Sequence, residues 1–172
     1  MATRKDSSPI RDTSYGIGQA SLLDRLIDRE PKVRAEAISS QAQSLRDLKA
    51  SIRRDLEYLL NSRRPPVEMP EGTQELNHSV YYYGLPDISG LAVSNSKDQK
   101  VMVSMIERAI ADYEPRLTNV VVSLQPAVGR ARVLRFQIEA LLMIEPAPER
   151  ITFDTKLELT SGEYSVEGKD RA

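Results

Sequence analysis

The 172-residue sequence has no cysteine and only one histidine, His78. Without cysteine the chain cannot form disulfide bonds or thiolate metal sites, which suits the reducing cytosol. A single histidine does not supply the usual ligands of zinc, so a metal would need a shell dominated by carboxylates. The sequence therefore predicts no metal site, and no serine has the context of a nucleophile that could act with His78.

Aromatic residues are also scarce, since they make up 5% of the chain and tryptophan is absent. A glycosidase needs two carboxylates across a sugar cleft, usually amid aromatic platforms. Glu57, Glu68 and Glu71 are the candidate carboxylates. The shortage of aromatic residues argues against a sugar-cleaving site among them.

The chain lacks an excess of either charge and lacks long apolar runs. A formal net charge of -1, from 24 basic and 25 acidic residues, does not indicate nucleic acid or an anionic membrane surface as a partner. The longest apolar run, residues 140–144, is too short to cross a bilayer, and the polar N-terminus does not resemble a secretory signal. The sequence contains neither G-x-x-x-x-G-K-[ST] nor G-x-G-x-x-G, the two glycine-rich phosphate-binding motifs, so no nucleotide cofactor is predicted. These absences predict a soluble, cytoplasmic protein.

Apolar residues recur at helical spacing in two long segments. Residues 44–61 form one apolar stripe, and residues 96–113 form a second. Prolines follow each segment and prevent the helix from continuing. Ser21 can also cap a short helix that ends before Pro31.

Beyond Pro115 the apolar residues alternate, which predicts β-strands. A first strand contains residues 120–124, a long strand covers 133–144, and a last strand covers 151–160. The polar side chains on the outer face of the two longer strands are Arg135, Gln137, Glu139, Thr152, Asp154, Lys156 and Glu158. Residues 79–83, with three tyrosines, also favour β-structure by composition.

Helices followed by a meander of strands predict an α+β fold. The N-terminal helices should pack on the apolar face of a small antiparallel C-terminal sheet. The length agrees with one domain, which we place at residues 21–162. The polar residues 1–20 are predicted to form a flexible arm, and residues 163–172 a frayed tail.

The triplet Glu114-Pro115-Arg116 stands at the predicted exit of the second long helix. Proline fixes the backbone there, and its two neighbours carry opposite charges. Arginine suits bidentate contacts and glutamate can pair with a partner's base, so this corner can present both charges to another protein. The alternative is an ordinary helix end with a surface ion pair of little energetic weight.

Four segments carry a more specific signal: SLLDRL at residues 21–26, SIRRDLEYLLNSR at 51–63, YGLPD at 83–87 and YEPRL at 113–117. In this order they resemble the TssE family of type VI secretion baseplate wedge proteins. That family is related to a wedge protein of contractile-phage baseplates that was once labelled lysozyme-like. Tyr82 stands where the family often has asparagine, so a contact made by that asparagine does not transfer.

The resemblance implies a structural wedge component, without catalytic residues or cofactor, that joins the baseplate to the first sheath ring. Glu114 and Arg116 would contact the wedge proteins TssF and TssG, with TssK as a further candidate, and Pro115 would aim them. The C-terminal strands would offer their edges to the sheath proteins TssB and TssC. The protein would assemble at the inner face of the cell envelope without inserting into the membrane.

The resemblance leads to predictions for two variants of the chain. Arg116→Ala is predicted to weaken wedge docking while the isolated chain still folds. Deletion of the chain from Ile151 onward is predicted to block sheath assembly.

Two other functions remain open from the sequence. One is a peptidoglycan hydrolase that uses carboxylates such as Glu57, which would release muropeptides from cell wall. The other is an α+β binding module with a different protein partner.

Overall fold

The computed structural model describes residues 41–168, apart from 68–71, 74–75, 77–78, 93, 127–132 and 146. It contains helices α1 (Gln41–Asn61) and α2 (Ser96–Tyr113) and a short 3₁₀ helix (Val80–Tyr82). Four strands follow: β1 (Leu117–Gln125), β2 (Val133–Leu142), β3 (Glu149–Glu158) and β4 (Tyr164–Gly168). The predicted N-terminal arm and the predicted helix at Ser21 lie outside the described residues.

Helix α1 forms where the apolar stripe predicts it and begins three residues earlier than predicted. Its buried side chains follow the spacing of one helix face: Leu48, Ile52, Leu56, Leu59 and Leu60. Its end is fixed by Ser62, whose backbone N–H donates to the Tyr58 carbonyl. Because most of the stabilisation of such a helix comes from tertiary packing, this stripe determines which face of α1 meets the sheet.

Helix α2 has the predicted bounds, and its two ends have clear causes. At the start, the Asn95 side chain accepts a hydrogen bond from the Lys97 backbone N–H, which is an N-cap. Asp98 in the first turn adds a favourable charge at the positive end of the helix dipole. At the end, Pro115 follows the C-cap residue Glu114. Met102, Ile106 and Ile110 are among its buried residues.

The strands form one antiparallel sheet in the order β1-β2-β3-β4. Leu142 pairs with Leu117 on one side and with Glu149 on the other, so the meander is continuous. The inward side chains of the strands share one core with both helices. The predicted α+β fold, with N-terminal helices on an antiparallel meander, is confirmed.

Two predictions of secondary structure are wrong. Residues 164–168, expected to fray, form β4, because Tyr164 and Val166 alternate into the core and complete its last row. Residues 80–82, expected to be extended, form a 3₁₀ turn instead of a strand. In that turn Tyr82 is buried and its hydroxyl donates to the Val67 carbonyl, so tertiary packing overrides the β-propensity of tyrosine.

The order of the strands also corrects the prediction that β3 is the last strand. Strand β3 lies between β2 and β4, so its backbone is paired on both sides from Phe153 to Leu157. Among the described strands, only β1 and β4 lie at an edge of the sheet. Removal of the chain from Ile151 onward would therefore take away most of a central strand and several core side chains, not a free edge alone.

The end of α1 holds β4 in place. The Asn61 side chain accepts from the Tyr164 N–H at 2.8 Å and donates to the Tyr164 carbonyl at 2.8 Å, as a neighbouring strand would. The Arg63 guanidinium lies 5.9 Å from the centre of the Tyr164 ring and donates to the Gly162 carbonyl. These contacts place the Tyr164 phenol in the core, where 3% of the residue is exposed.

Burial raises the pKa of Tyr164 to about 12, although the nearby Arg63 charge acts to lower it. The unfolded chain loses this phenol proton near pH 10 whereas the folded chain keeps it up to about pH 12. The contribution is therefore complete below pH 10 and is lost as the pH rises through this window. We expect a loss of about 2 kcal/mol of unfolding free energy across it, measured by urea denaturation. Tyr164→Phe should reduce this alkaline loss, and Tyr58→Phe on the exposed face of α1 is the matched control. An unchanged slope in Tyr164→Phe would contradict the assignment.

Candidate functional site

The Glu114-Pro115-Arg116 corner joins α2 to β1. The Glu114 backbone N–H donates to the Ile110 carbonyl at 2.8 Å and closes the helix. The Leu117 N–H then donates to the Glu114 carbonyl, and the Arg116 carbonyl accepts from the Met143 N–H. The corner is thus fixed on both sides by backbone hydrogen bonds, and Pro115 itself is exposed.

The two charged side chains of the corner bind each other and α1. Arg116 Nε donates to Glu114 Oε1 at 2.6 Å, and Nη2 donates to Glu114 Oε2 at 2.5 Å, which is bidentate geometry. Arg116 Nη2 also donates to Asp55 Oδ2 at 2.7 Å. Arg116 Nη1 lies 3.4 Å from Ser51 Oγ. The Glu114 and Arg116 side chains are 6% and 18% exposed.

The electrostatics of this cluster favour the charged form of Arg116 and the neutral form of Tyr83. Burial lowers the pKa of Arg116, but its hydrogen bonds to Glu114 and Asp55 outweigh burial, and the pKa is raised. The pKa of Tyr83 is raised by burial first and then by the negative charges of Asp55 and Glu114. The cluster therefore contains a permanent cation between two carboxylates, with a neutral phenol nearby.

The geometry gives the corner a structural role inside the chain. Arg116 connects the exit of α2 to the middle of α1, and the Glu114 carboxylate is used in that connection. A surface ion pair, the alternative from the sequence, does not describe a glutamate that is buried. The direct contact of Glu114 and Arg116 with wedge proteins stays a prediction. Asp55, the third member, was not anticipated as part of this site.

The YGLPD segment packs against the end of α1. The Leu85 N–H donates to the Ser62 carbonyl, and the Arg64 N–H donates to the Leu85 carbonyl, which forms a short parallel bridge. The Tyr83 ring meets the Tyr113 ring edge to face at 5.2 Å. Gly84, between Tyr83 and Leu85 in the sequence, has φ +106°, a conformation that favours glycine.

Asp87 ends this segment with a turn. Its carboxylate accepts from the Ser89 hydroxyl at 2.5 Å and from the Ser89 N–H at 3.0 Å. These hydrogen bonds lower the pKa of Asp87. Three of the four motifs thus meet in space. The signature helix contacts both the YGLPD segment and the Glu-Pro-Arg corner, and Tyr83 packs on Tyr113 beside that corner.

The polar residues predicted to face the sheath lie together on the outer face of β2 and β3. The register pairs Arg135 with Lys156, Gln137 with Asp154, and Glu139 with Thr152, and it places Glu158 opposite Val133. Lys156 also forms an ion pair with Glu167 of β4. The structure brings these residues onto one face, and their contact with sheath proteins stays a prediction.

The carboxylates considered for hydrolysis are not assembled into a described site. Glu57 lies partly buried on α1. Glu68, Glu71 and His78 lie outside the described residues. Glu57 does not line either of the two clefts formed by the described residues around α2 and around α1 and β3.

The described motif residues contact one another within an α+β fold that has a polar sheet face and two edge strands. Such an arrangement is typical of a structural, protein-binding component. The family model described as "Baseplate wedge protein gp25" matches residues 46–147, more than half of the chain, and the chain belongs to this family. It is a structural baseplate component of a contractile injection system and binds other baseplate components, which confirms the predicted family resemblance.

A comparison with curated proteins found no match. Within the described ranges, no helix has the length and hydropathy needed to cross a membrane.

Proposed function

We propose that this chain is the TssE-type wedge subunit of a type VI secretion baseplate. In this role it docks on TssF and TssG, with TssK as a further candidate, and starts the polymerisation of TssB and TssC into a sheath. It would act in the cytoplasm at the inner face of the cell envelope. The observation that carries the proposal is the family match over residues 46–147, which covers most of α1, three of the four motifs and the first two strands.

The proposal is tested by co-expression with TssF and TssG from the same genome, followed by co-purification on tagged TssF. A stable complex of defined stoichiometry is expected. If the folded chain does not associate with the confirmed TssF–TssG complex, the wedge role is overturned. A thermal melt of the isolated chain verifies that it is folded in this experiment.

Sheath initiation requires an open strand edge, since unpaired backbone groups can accept an incoming strand. The edge of β1 is a poor candidate. The Glu107 carboxylate accepts from the Val122 N–H at 2.9 Å, so one donor of this edge is already used. The register also shifts between Thr118 and Val121, where Asn119 has φ +52°. Such a bulge twists the edge and hinders strand addition.

The edge of β4 is the better candidate. The Tyr164 N–H and carbonyl point away from β3, because both bind the Asn61 side chain. Backbone groups of an antiparallel strand alternate with a period of two. The N–H and carbonyl of Val166 and Gly168 therefore point to the same outer side as those of Tyr164. We infer that an incoming sheath strand pairs with Val166 and Gly168, beyond the position that Asn61 occupies.

Gly168→Pro provides a test with little effect on the fold. Proline removes the N–H that points outward and places its ring where the incoming strand would lie. Gly168 is exposed, and an added Cβ would meet nothing within 4 Å. We expect about fivefold fewer assembled sheaths per cell, counted with a fluorescent sheath protein, because a backbone hydrogen bond contributes about 1 kcal/mol.

Gly168→Ala is the matched control for this experiment. It adds a side-chain carbon but keeps the backbone N–H, so sheath number should remain that of the wild type. Equal sheath numbers in the proline variant would overturn the assignment of the β4 edge. Co-purification with TssF and TssG should be unchanged in both variants.

A further inference from the structure

A groove of about 390 Å³ runs along the outer face of α2. Its other wall is the segment that contains Tyr82, Gly84 and Pro86. From Lys100 to Asp112 the helix contributes about 18 Å of this groove, at 1.5 Å for each residue. A volume of this size is typical of clefts that bind a ligand.

The rim of the groove is positively charged. Arg64, Lys100 and Arg108 line it, together with one carboxylate, Asp112. Arg108 Nε lies 3.7 Å from Asp112 Oδ2, which accounts for that carboxylate. Neither Arg64 nor Lys100 forms an ion pair with a carboxylate of the described residues. Among the described residues that line it, the groove therefore has an excess of positive charge, in a chain whose overall net charge is -1.

The floor of the groove and its surroundings are apolar. Val101 and Met105 line it, and Val101 is 42% exposed although it lies in the middle of an amphipathic helix. Beside the wall residue Tyr82, Val80 is 90% exposed and Tyr81 is 57% exposed. Exposed apolar side chains grouped beside a charged rim are typical of a protein-binding site.

We propose that this groove binds an acidic, amphipathic segment of a wedge partner protein. Apolar side chains of that segment occupy the floor at Val101 and Met105, and its carboxylates meet Lys100 and Arg64. Charge complementarity selects an acidic occupant, and the apolar floor requires that one side of it be hydrophobic. This inference deepens the wedge docking proposed above and rests on it, because it gives the docking surface and the chemistry of the partner segment.

The position of the groove suits a subunit that binds two partners at once. Helix α2 packs beside β1, whereas α1 packs beside β4. The groove on α2 thus lies near the β1 edge of the sheet, away from the β4 edge. A wedge protein held in the groove leaves the β4 edge open to a sheath strand.

The test is charge reversal of Lys100 in the co-expressed wedge complex. Lys100→Glu should weaken association with TssF and TssG about tenfold, measured as the dissociation constant of the purified chain. Arg53→Glu makes the same charge change on the exposed side of α1, outside the groove, and should bind as the wild type does. Lys100 is exposed, so the melting temperature of both variants is expected to be that of the wild type.

Photo-cross-linking identifies the occupant. A benzophenone amino acid at position 101 should form a cross-link to one segment of TssF or TssG, located by mass spectrometry, while the same group at position 121 on β1 should not. The cross-linked segment is expected to contain carboxylates beside apolar residues. Changing one of those carboxylates to lysine should restore the binding of Lys100→Glu.

The outcomes separate the two proposals. If the wild type binds the wedge proteins and Lys100→Glu binds equally well, the groove is not the docking site and the wedge function stands. A cross-linked segment without acidic residues overturns the groove proposal in the same way. If the folded wild type does not bind the wedge proteins at all, both proposals are overturned.

Discussion

The Arg116→Ala variant is expected to lose about 2–4 kcal/mol of unfolding free energy. Removal of the guanidinium leaves the Glu114 carboxylate buried without its bidentate partner. It also takes away one of the two basic partners of Asp55, which keeps its ion pair with Arg54. Breaking a buried ion pair costs about 3–5 kcal/mol, because the remaining charge is not compensated. The partial exposure of Asp55 reduces that figure, since water reaches its carboxylate. Urea denaturation at neutral pH measures the loss.

Arg108→Ala is the matched control, because Arg108 also pairs with a carboxylate but is 72% exposed. An exposed pair of this kind contributes less than about 0.5 kcal/mol. The double variant Glu114→Gln/Arg116→Ala should recover part of the stability, since it removes the buried charge as well. A loss in Arg116→Ala no larger than that in Arg108→Ala would contradict the proposed structural role.

The expected loss of stability affects the interpretation of a docking experiment on the Glu-Pro-Arg corner. The sequence predicts that Arg116→Ala weakens docking in a chain that still folds, but the contacts imply a less stable chain. Weak binding by this variant can therefore arise from lost stability. Lys100→Glu avoids the difficulty, because Lys100 lies on the exposed face of α2 and takes no part in the Arg116 cluster.

The spacing of apolar residues in the sequence is sufficient to predict the long helices and strands but not the short ones. Both long helices and the three longer strands carry three or more apolar positions in one pattern, so their type could be predicted from the sequence. Strand β4 has only two inward apolar residues, Tyr164 and Val166, and follows the turn at Gly162. Two positions do not define a period, and the strand is recognised only from its register with β3.

The Glu-Pro-Arg corner shows the same limit for a site. Sequence reasoning found Glu114 and Arg116 from their charges beside a proline. It could not find Asp55, because 61 residues separate it from Arg116 and no local pattern joins the two. The pairing arises only when α1 and α2 pack on the same sheet, so its role as a structural connection is a property of the tertiary fold.

Gly84→Ala is expected to be the second severe substitution, with a loss of about 3–5 kcal/mol of unfolding free energy. An added Cβ would lie 2.5 Å from the Ser62 carbonyl oxygen, which is backbone and cannot move aside like a side chain. The φ of +106° also strains any residue other than glycine, at a cost of about 1–3 kcal/mol. Relief of the clash would move the chain away from α1 and break the hydrogen bond from the Leu85 N–H to the Ser62 carbonyl.

Two other glycines separate the causes of that loss. Gly72 has φ +84° with nothing near its added Cβ, so Gly72→Ala should cost only the backbone strain, about 1 kcal/mol. Gly90 has neither a positive φ nor a close neighbour, and Gly90→Ala should change stability by less than about 0.5 kcal/mol. Equal melting temperatures for the Gly84 and Gly72 variants would mean that the contact with Ser62 does not matter. A larger loss at Gly84 would show that the close approach to the Ser62 backbone holds the YGLPD segment against the end of α1.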